Sequence, residues 1–263
     1  MLNLIVKAER ERAAKIARIL VEDFKSRRKI FKKYPLNKTL FFPKTDERSL
    51  ALFTIYTISI DYGMRAEILF KKLKNLFERN NKFFNPTFLL SKFDRKSLGR
   101  FFEKELGLRF PNRAAERWLN LSKILIERYE GDVRKIFESR DALRIFEELK
   151  NIKGFGPKLS SLFIKFAVSL NFTRNLKNLE KVPIPVDVHL AKLAFRLGII
   201  KGKEKDYQKF IPEIIEIWSK AARNAKVSWL DLNDALWILG AYGCKKKLCE
   251  ICSVKKFCLI SKS

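Results

Sequence analysis

The residues best suited to do chemistry in this chain are one amine, one carboxylate and four thiols. Lys158 follows Asn151-Ile-Lys-Gly-Phe-Gly-Pro157, in which Gly154 and Gly156 form a Gly-x-Gly turn that runs into an apolar-periodic stretch. Glycines two apart permit positive φ and let an anion approach bare backbone, and Pro157 suits the first position of a helix. Amides at such a helix start face an anion. The turn therefore reads either as a phosphate-docking element with an amine at its mouth or as a plain helix joint with a surface lysine. Asp187 follows the extended Val182-Pro-Ile-Pro-Val186 and leads into another helix, where an aspartate also makes a good N-cap. His189, the only histidine, reads as a core residue or a phosphate contact. Cys244, Cys249, Cys252 and Cys258 are the only cysteines and lie within fifteen residues as C-x4-C-x2-C-x5-C. That clustering is a metal-site signature, open to Zn(Cys)4 and to [4Fe-4S], with two disulfides as the alternative.

Composition says which partner such groups would meet. Against 29 Asp plus Glu stand 56 Lys plus Arg, a formal charge of +27 on 263 residues, and the isoelectric point is near 10. Abundant charge of both signs with little Met or Cys matches the surface of a thermophilic prokaryote's protein. The imbalance is what a solvated surface leaves unexplained, and it points to a polyanion, nucleic acid first. No apolar run approaches the ~20 residues of a membrane span and no signal-peptide pattern opens the chain, so a membrane is not the expected partner. An intracellular monomer is expected, and there disulfides are disfavoured. At 47% apolar residues the chain has ample material for a core.

The elements that must position these groups read as helices almost throughout. Apolar residues recur at three- and four-residue spacing, and no strictly alternating strand pattern is present. Helices are expected over 4–31, with Ile16, Ile19, Leu20 and Phe24 on one stripe, and from Thr45 to Ile58, 65–78, 86–90, 95–105 and 113–129. Beyond a short helix capped at Gly131-Asp132 and another over 140–149 comes the glycine turn. Its helix buries Leu159, Leu162, Phe163, Phe166, Ala167 and Leu170. An irregular stretch, 171–185, precedes helices over 188–197, 204–223 and 229–242 and the cysteine segment.

Ile152-Lys-Gly-Phe-Gly-Pro-Lys158 resembles the Leu-Pro-Gly-Val-Gly-x-Lys hairpin of the helix-hairpin-helix DNA glycosylase superfamily, which includes endonuclease III and the 8-oxoguanine glycosylases. Val186-Asp-Val-His189 resembles its Val-Asp-x-His, and the preceding prolines are most similar to those of 8-oxoguanine glycosylases. The cysteine spacing is similar to the C-x6-C-x2-C-x5-C of endonuclease III, with a first gap two residues shorter. Ser59-Ile-Asp61 stands where endonuclease III has Ser-Ala-Gln, whose glutamine fills the gap left by a flipped nucleotide. Gly107-Leu108-Arg-Phe-Pro-Asn112-Arg-Ala114 is similar to its Gly-Leu-Tyr-Asn-x-Lys-Ala, whose leucine wedges the opposite strand.

The resemblance implies an all-α, two-lobed fold: residues 49–170 as a helical barrel domain carrying the hairpin, and 1–48 plus 171–263 as a second domain carrying a cluster loop, with the active cleft between them. It implies Lys158 and Asp187 as catalytic residues, and Lys153, Gly154, Gly156, His189, Leu108 and Asp61 at DNA. It also implies a [4Fe-4S] cluster, rather than zinc, on the four cysteines. A lysine amine can attack C1′ of the sugar as the base departs and form a Schiff base, after which β-elimination nicks the strand. A carboxylate would stabilise the cationic charge that develops. The implied activity is a bifunctional DNA glycosylase/AP lyase acting on an oxidised base, 8-oxoguanine or a pyrimidine, in duplex DNA. A monofunctional glycosylase and a non-catalytic DNA-binding module are the alternatives. Two departures stand out. The 28 residues between Lys158 and Asp187 exceed the interval in endonuclease III, and a charged Asp61 would repel phosphate as a gap-filler.

Overall fold

The computed structural model describes residues 2–36 and 40–260, and of residues 2–8 the backbone alone. Among the described residues there is no β-strand, only one isolated bridge between Asp141 and Lys177. Two compact units divide the chain: Asn37–Leu179 is continuous, whereas Met1–Leu36 joins Glu180–Ser263. Residues 40–48 and 171–179, expected with the split unit, cluster with the continuous one. Phe42 packs on Phe53, Phe70 and Phe166. Phe172 packs on Phe137 and Phe163, and the backbone of Lys177 exchanges hydrogen bonds with Arg140 and Ala142.

In the continuous unit the helices are α3 (Glu47–Ser59), α4 (Ala66–Arg79), α5 (Pro86–Lys92), α6 (Arg95–Leu106), α7 (Pro111–Tyr129), α8 (Ala142–Lys150) and α9 (Pro157–Ser169). Their starts follow side-chain chemistry. Asp46, Asn85, Asp94 and Asp141 each accept a backbone N–H of the first turn, and Asp94 with Ser97 completes a capping box. Asp46, rather than Thr45, caps α3. Gly107 ends α6 in the left-handed region, where glycine carries no Cβ penalty. The interior is largely aromatic. Tyr56, Phe84, Phe102 and Trp118 meet in tilted and edge-on contacts and all are essentially inaccessible to solvent.

The split unit comprises α1 (Leu2–Lys25), α2 (Ile30–Lys33), α10 (Val188–Arg196), α11 (Ile211–Ala225) and α12 (Trp229–Ile238). Ala13, Ile16, Ala17, Leu20 and Val21 bury one stripe of α1, which packs on α11 and α12. The single helix expected over 4–31 is broken after Lys25. Arg27 and Lys29 take positive φ, and Arg28 and Lys29 fold back onto the nearly buried Asp23. Likewise 204–210 winds as a 3₁₀ segment before α11 begins at Ile211-Pro212. No described helix is long and apolar enough to cross a membrane.

Candidate active site

The continuous unit builds its site around the end of α3. Trp118 Nε1 donates to Tyr56 O at 2.9 Å, and Arg117 Nη1 donates to Ser59 O at 2.8 Å. Two residues of α7 thus bond carbonyls of the last turn of α3, and Ser59 Oγ also donates to Tyr56 O at 2.7 Å. Asp61 follows at once, its N–H bonded to Ile58 O. Tyr62 lies beneath two guanidiniums, with Arg117 4.5 Å and Arg113 5.5 Å from its ring centroid. Burial raises the Tyr62 phenol above its ordinary value and pulls Arg117 below its own.

The hairpin is seated on the same arginine. Ile152 and Phe155 are buried anchors, and Phe155 N–H closes the turn on Ile152 O at 2.9 Å. Gly154 has φ +97°, a conformation that favours glycine, and a Cβ there would come 3.1 Å from Arg117 Nε, so the arginine would have to give way slightly. Gly156 differs from expectation. Its backbone is extended, with φ −92° and ψ −177°, and a Cβ would meet nothing within 4 Å. Its bareness leaves the start of α9 open on that side but is not required by the turn. Pro157 takes the first helical position as expected, and no side chain caps the amides behind it.

Lys158 Nζ donates to Asp61 Oδ2 at 3.0 Å, with the lysine side chain 37% exposed and the aspartate 12%. The sequence had assigned these two residues to separate roles, and the structure brings them together. Lys153 instead points outward and pairs with Glu116 at 3.2 Å. Leu108, expected as a protruding wedge, is 8% exposed and packed into the core. The exposed apolar group of that turn is Phe110, at 44%, lying against Gly63 and under the Arg109 guanidinium. The turns 59–63, 107–110 and 151–156 all touch the N-terminal half of α7.

In the split unit, the Val182–Val186 segment is pinned at two adjacent residues. Ile184 N–H donates to Ser219 Oγ at 3.0 Å, and Asn233 Nδ2 donates to Pro185 O at 2.9 Å. Val182, Ile184 and Val186 are buried, which fixes where Asp187 begins α10. Asp187 Oδ1 accepts from the N–H groups of His189 and Leu190, both at 2.9 Å. Capping uses one carboxylate oxygen, and Oδ2 takes no part in it. His189 packs over Gly240, where a Cβ would fall 2.8 Å from the histidine Cβ. Only glycine fits there, a requirement that no periodicity signals.

Comparison with known proteins bears on both units. A sequence profile of the family AGOG, described as N-glycosylase/DNA lyase, matches residues 163–262. A protein of Methanocaldococcus jannaschii that carries the provisional name of DNA repair glycosylase is 26% identical over 151 residues, 57% of this chain and 61% of its own length. Endonuclease III of Thermotoga maritima is 27% identical over 162 residues, 59% and 60% respectively. The chain thus spans about three fifths of the length of these curated relatives. Among solved structures, a trapped endonuclease III–DNA covalent intermediate superposes with a TM-score of 0.56 at 18% identity, over 89% of this chain and 92% of that one. The 8-oxoguanine DNA glycosylase Pa-AGOG of Pyrobaculum aerophilum, complexed with 8-oxoguanosine, superposes at 0.55 and 18%, over 95% and 96%. The chain is thus similar in sequence to DNA glycosylases over part of its length and shares the fold of endonuclease III and Pa-AGOG.

Within this glycosylase fold the cysteines follow a π-helical turn, Leu239–Cys244, that continues α12. Cys249 opens a 3₁₀ turn, and a second one, Lys255–Phe257, precedes Cys258. Burial, then the neighbouring Cys252, pushes the Cys244 thiol up to about 11, while the Arg196 guanidinium opposes the rise. Burial also raises Cys252, and Cys258 and Cys249 add to it. Neighbouring thiols thus add to the rise at Cys244 and Cys252, an effect that a bound cation would oppose. Among the described residues no group of three or more Cys, His, Asp or Glu is already arranged to hold a metal ion. The donor set fits a thiolate-bound centre, although its ligand geometry is not preformed.

Proposed function

We propose that this protein is a bifunctional DNA glycosylase/AP lyase that excises an oxidised base, 8-oxoguanine or an oxidised pyrimidine, from duplex DNA. The observation that carries the reading is Lys158 itself: a half-buried amine in the first turn of the hairpin helix, held 3.0 Å from a carboxylate rather than projecting as a surface lysine. Its amine would attack C1′, forming a C–N bond as the glycosidic bond breaks and its electron pair leaves with the base. Loss of a proton and opening of the sugar ring convert the adduct to a Schiff base. The Schiff base acidifies C2′, and β-elimination then cleaves the 3′ C–O bond. Asp187 would stabilise the positive charge that develops on the sugar.

Duplex DNA carrying the lesion is the proposed partner. The net charge of +27, the uncapped start of α9 behind Gly156 and the exposed Phe110 beside Arg109 support it. Lys153, Gly154, Gly156 and His189 would meet the backbone. Cys244, Cys249, Cys252 and Cys258 would hold a [4Fe-4S] cluster, or zinc in its place; when bound, such a centre would fix the C-terminal segment and the basic residues Lys245 to Lys247 within it.

The test is incubation with duplexes bearing 8-oxoguanine, thymine glycol, uracil or an abasic site, with and without borohydride. The expected result is a trapped protein–DNA adduct and a nicked strand, both absent in Lys158→Gln. Base release without trapping would make the enzyme monofunctional. No product on any duplex would leave a DNA-binding module.

A further inference from the structure

We propose that Asp61 is the positioning residue for Lys158: it orients the amine and accepts the proton that the amine must lose before it can attack. The inference rests on the lysine-nucleophile reading and assigns Asp61 to a different task from filling a gap in the duplex. Three observations lead to it. Asp61 Oδ2 is 3.0 Å from Lys158 Nζ, and the carboxylate is the more buried partner, 12% exposed against 37%. It has little freedom to reach into DNA, because its N–H is bonded to Ile58 O and the α3 end that carries it is pinned by Arg117 and Trp118. The hairpin bearing Lys158 is seated on the same Arg117 through Gly154. One arginine side chain therefore touches both elements that carry the pair.

The chemistry requires an acceptor. An ordinary lysine amine is almost wholly protonated at neutral pH and has no lone pair to offer. In water the ammonium–carboxylate pair is the favoured form. When a bound duplex displaces water, two adjacent charges become costly, and one proton moving from Nζ to Oδ2 leaves two neutral groups. No other bond changes in that step, and the amine starts 3.0 Å from the oxygen that takes its proton. A neutral carboxylic acid also removes the repulsion that a charged Asp61 would impose on phosphate.

The decisive measurement is the single-turnover rate of borohydride trapping at saturating protein on an abasic-site duplex, with duplex affinity determined separately. Asp61→Asn preserves size and a hydrogen-bonding oxygen but cannot serve as the proton acceptor. It is expected to trap at least tenfold more slowly, with affinity within threefold of the parent. Asp61→Glu, which restores a carboxylate, should recover most of the rate. Matched melting temperatures show that each variant is folded; a variant that melts early is replaced by Asp61→Ser in the same assay. An Asp61→Asn protein that traps as fast as the parent or faster overturns the proposal, as does one that loses affinity while keeping its saturated rate. If the parent protein traps nothing, the nucleophile reading itself has failed, a result distinct from parent and variant trapping alike.

Discussion

The hairpin of the continuous unit and the cysteine segment of the split unit are both short, lysine-bearing stretches, yet they are held in opposite ways. The hairpin is fixed by protein alone. Its anchors Ile152 and Phe155 are buried, its turn closes on itself, and Arg117 ties it to α3 and Tyr62. The cysteine segment has only 3₁₀ turns between its thiols, with Val254 as its one fully buried apolar side chain. Its outer attachments are polar: Arg12 reaches Phe257 O and Leu197 O, and Leu259 N–H reaches Arg196 O. The contrast teaches that apolar packing fixes one stretch, whereas mainly polar attachments hold the other.

That contrast can be broken by experiment. Lys158→Gln should abolish trapping completely while leaving the melting temperature unchanged, because the hairpin does not depend on the amine for its shape. A large loss of stability would show that it does. If the cysteines hold the proposed centre, Cys252→Ser or prolonged chelation should release it and expose the C-terminal segment to protease, since a structural thiolate site contributes folding free energy directly. Retained protection without metal would make the segment as self-sufficient as the hairpin.

Smaller effects sharpen the same distinction. Leu108→Ala should destabilise by about 2–4 kcal/mol as a core truncation. Phe110→Ala should change stability by less than about 0.5 kcal/mol but weaken duplex binding by about 1–3 kcal/mol, the scale of an aromatic stacked on a base. Denaturant melts and binding titrations on the pair would read both numbers, and an exchange of the two effects would restore Leu108 as the wedge. Gly154→Ala should cost about 1–3 kcal/mol from backbone strain and the clash with Arg117, with trapping slowed in step. The smallest effect concerns Glu204. Its Arg196 fork holds the carboxyl below its ordinary 4.5, so its stabilisation is present above that value and is lost as pH falls through the lowered one. Glu204→Gln should flatten the acid limb of the stability curve by under about 1 kcal/mol, as for other part-exposed pairs.

Much of this was legible along the chain. Periodicity located the helices, and the Gly-x-Gly-Pro-Lys and Pro-x-Pro-Val-Asp segments put Lys158 at a helix start and Asp187 at an N-cap, where local rules suffice. What local rules cannot supply is contact across distance. The Asp61–Lys158 pair spans 97 positions, and the Arg117 strut joins three separate turns. Leu108 and Phe110 sit two residues apart in one turn, and which of them faces solvent is decided by α7 and Gly63 rather than by hydrophobicity. The break after Lys25 was hidden for a related reason, since the helical pattern continues through Phe31 while Asp23 draws the following cations back.

The division of the split unit also has a consequence in time. Helix α1 is synthesised first, but the surfaces that cover Ile16 and Leu20 belong to α11 and α12, about two hundred residues later. At about 5–20 residues per second, the ribosome needs on the order of ten seconds or more to deliver them. Through that interval the continuous unit can emerge and close around its own aromatic core, whereas α1 waits with an apolar stripe uncovered. The nascent chain is thus open to aggregation or chaperone capture at α1 until α11 and α12 emerge, and translation speed is a variable to which the yield of this fold should respond.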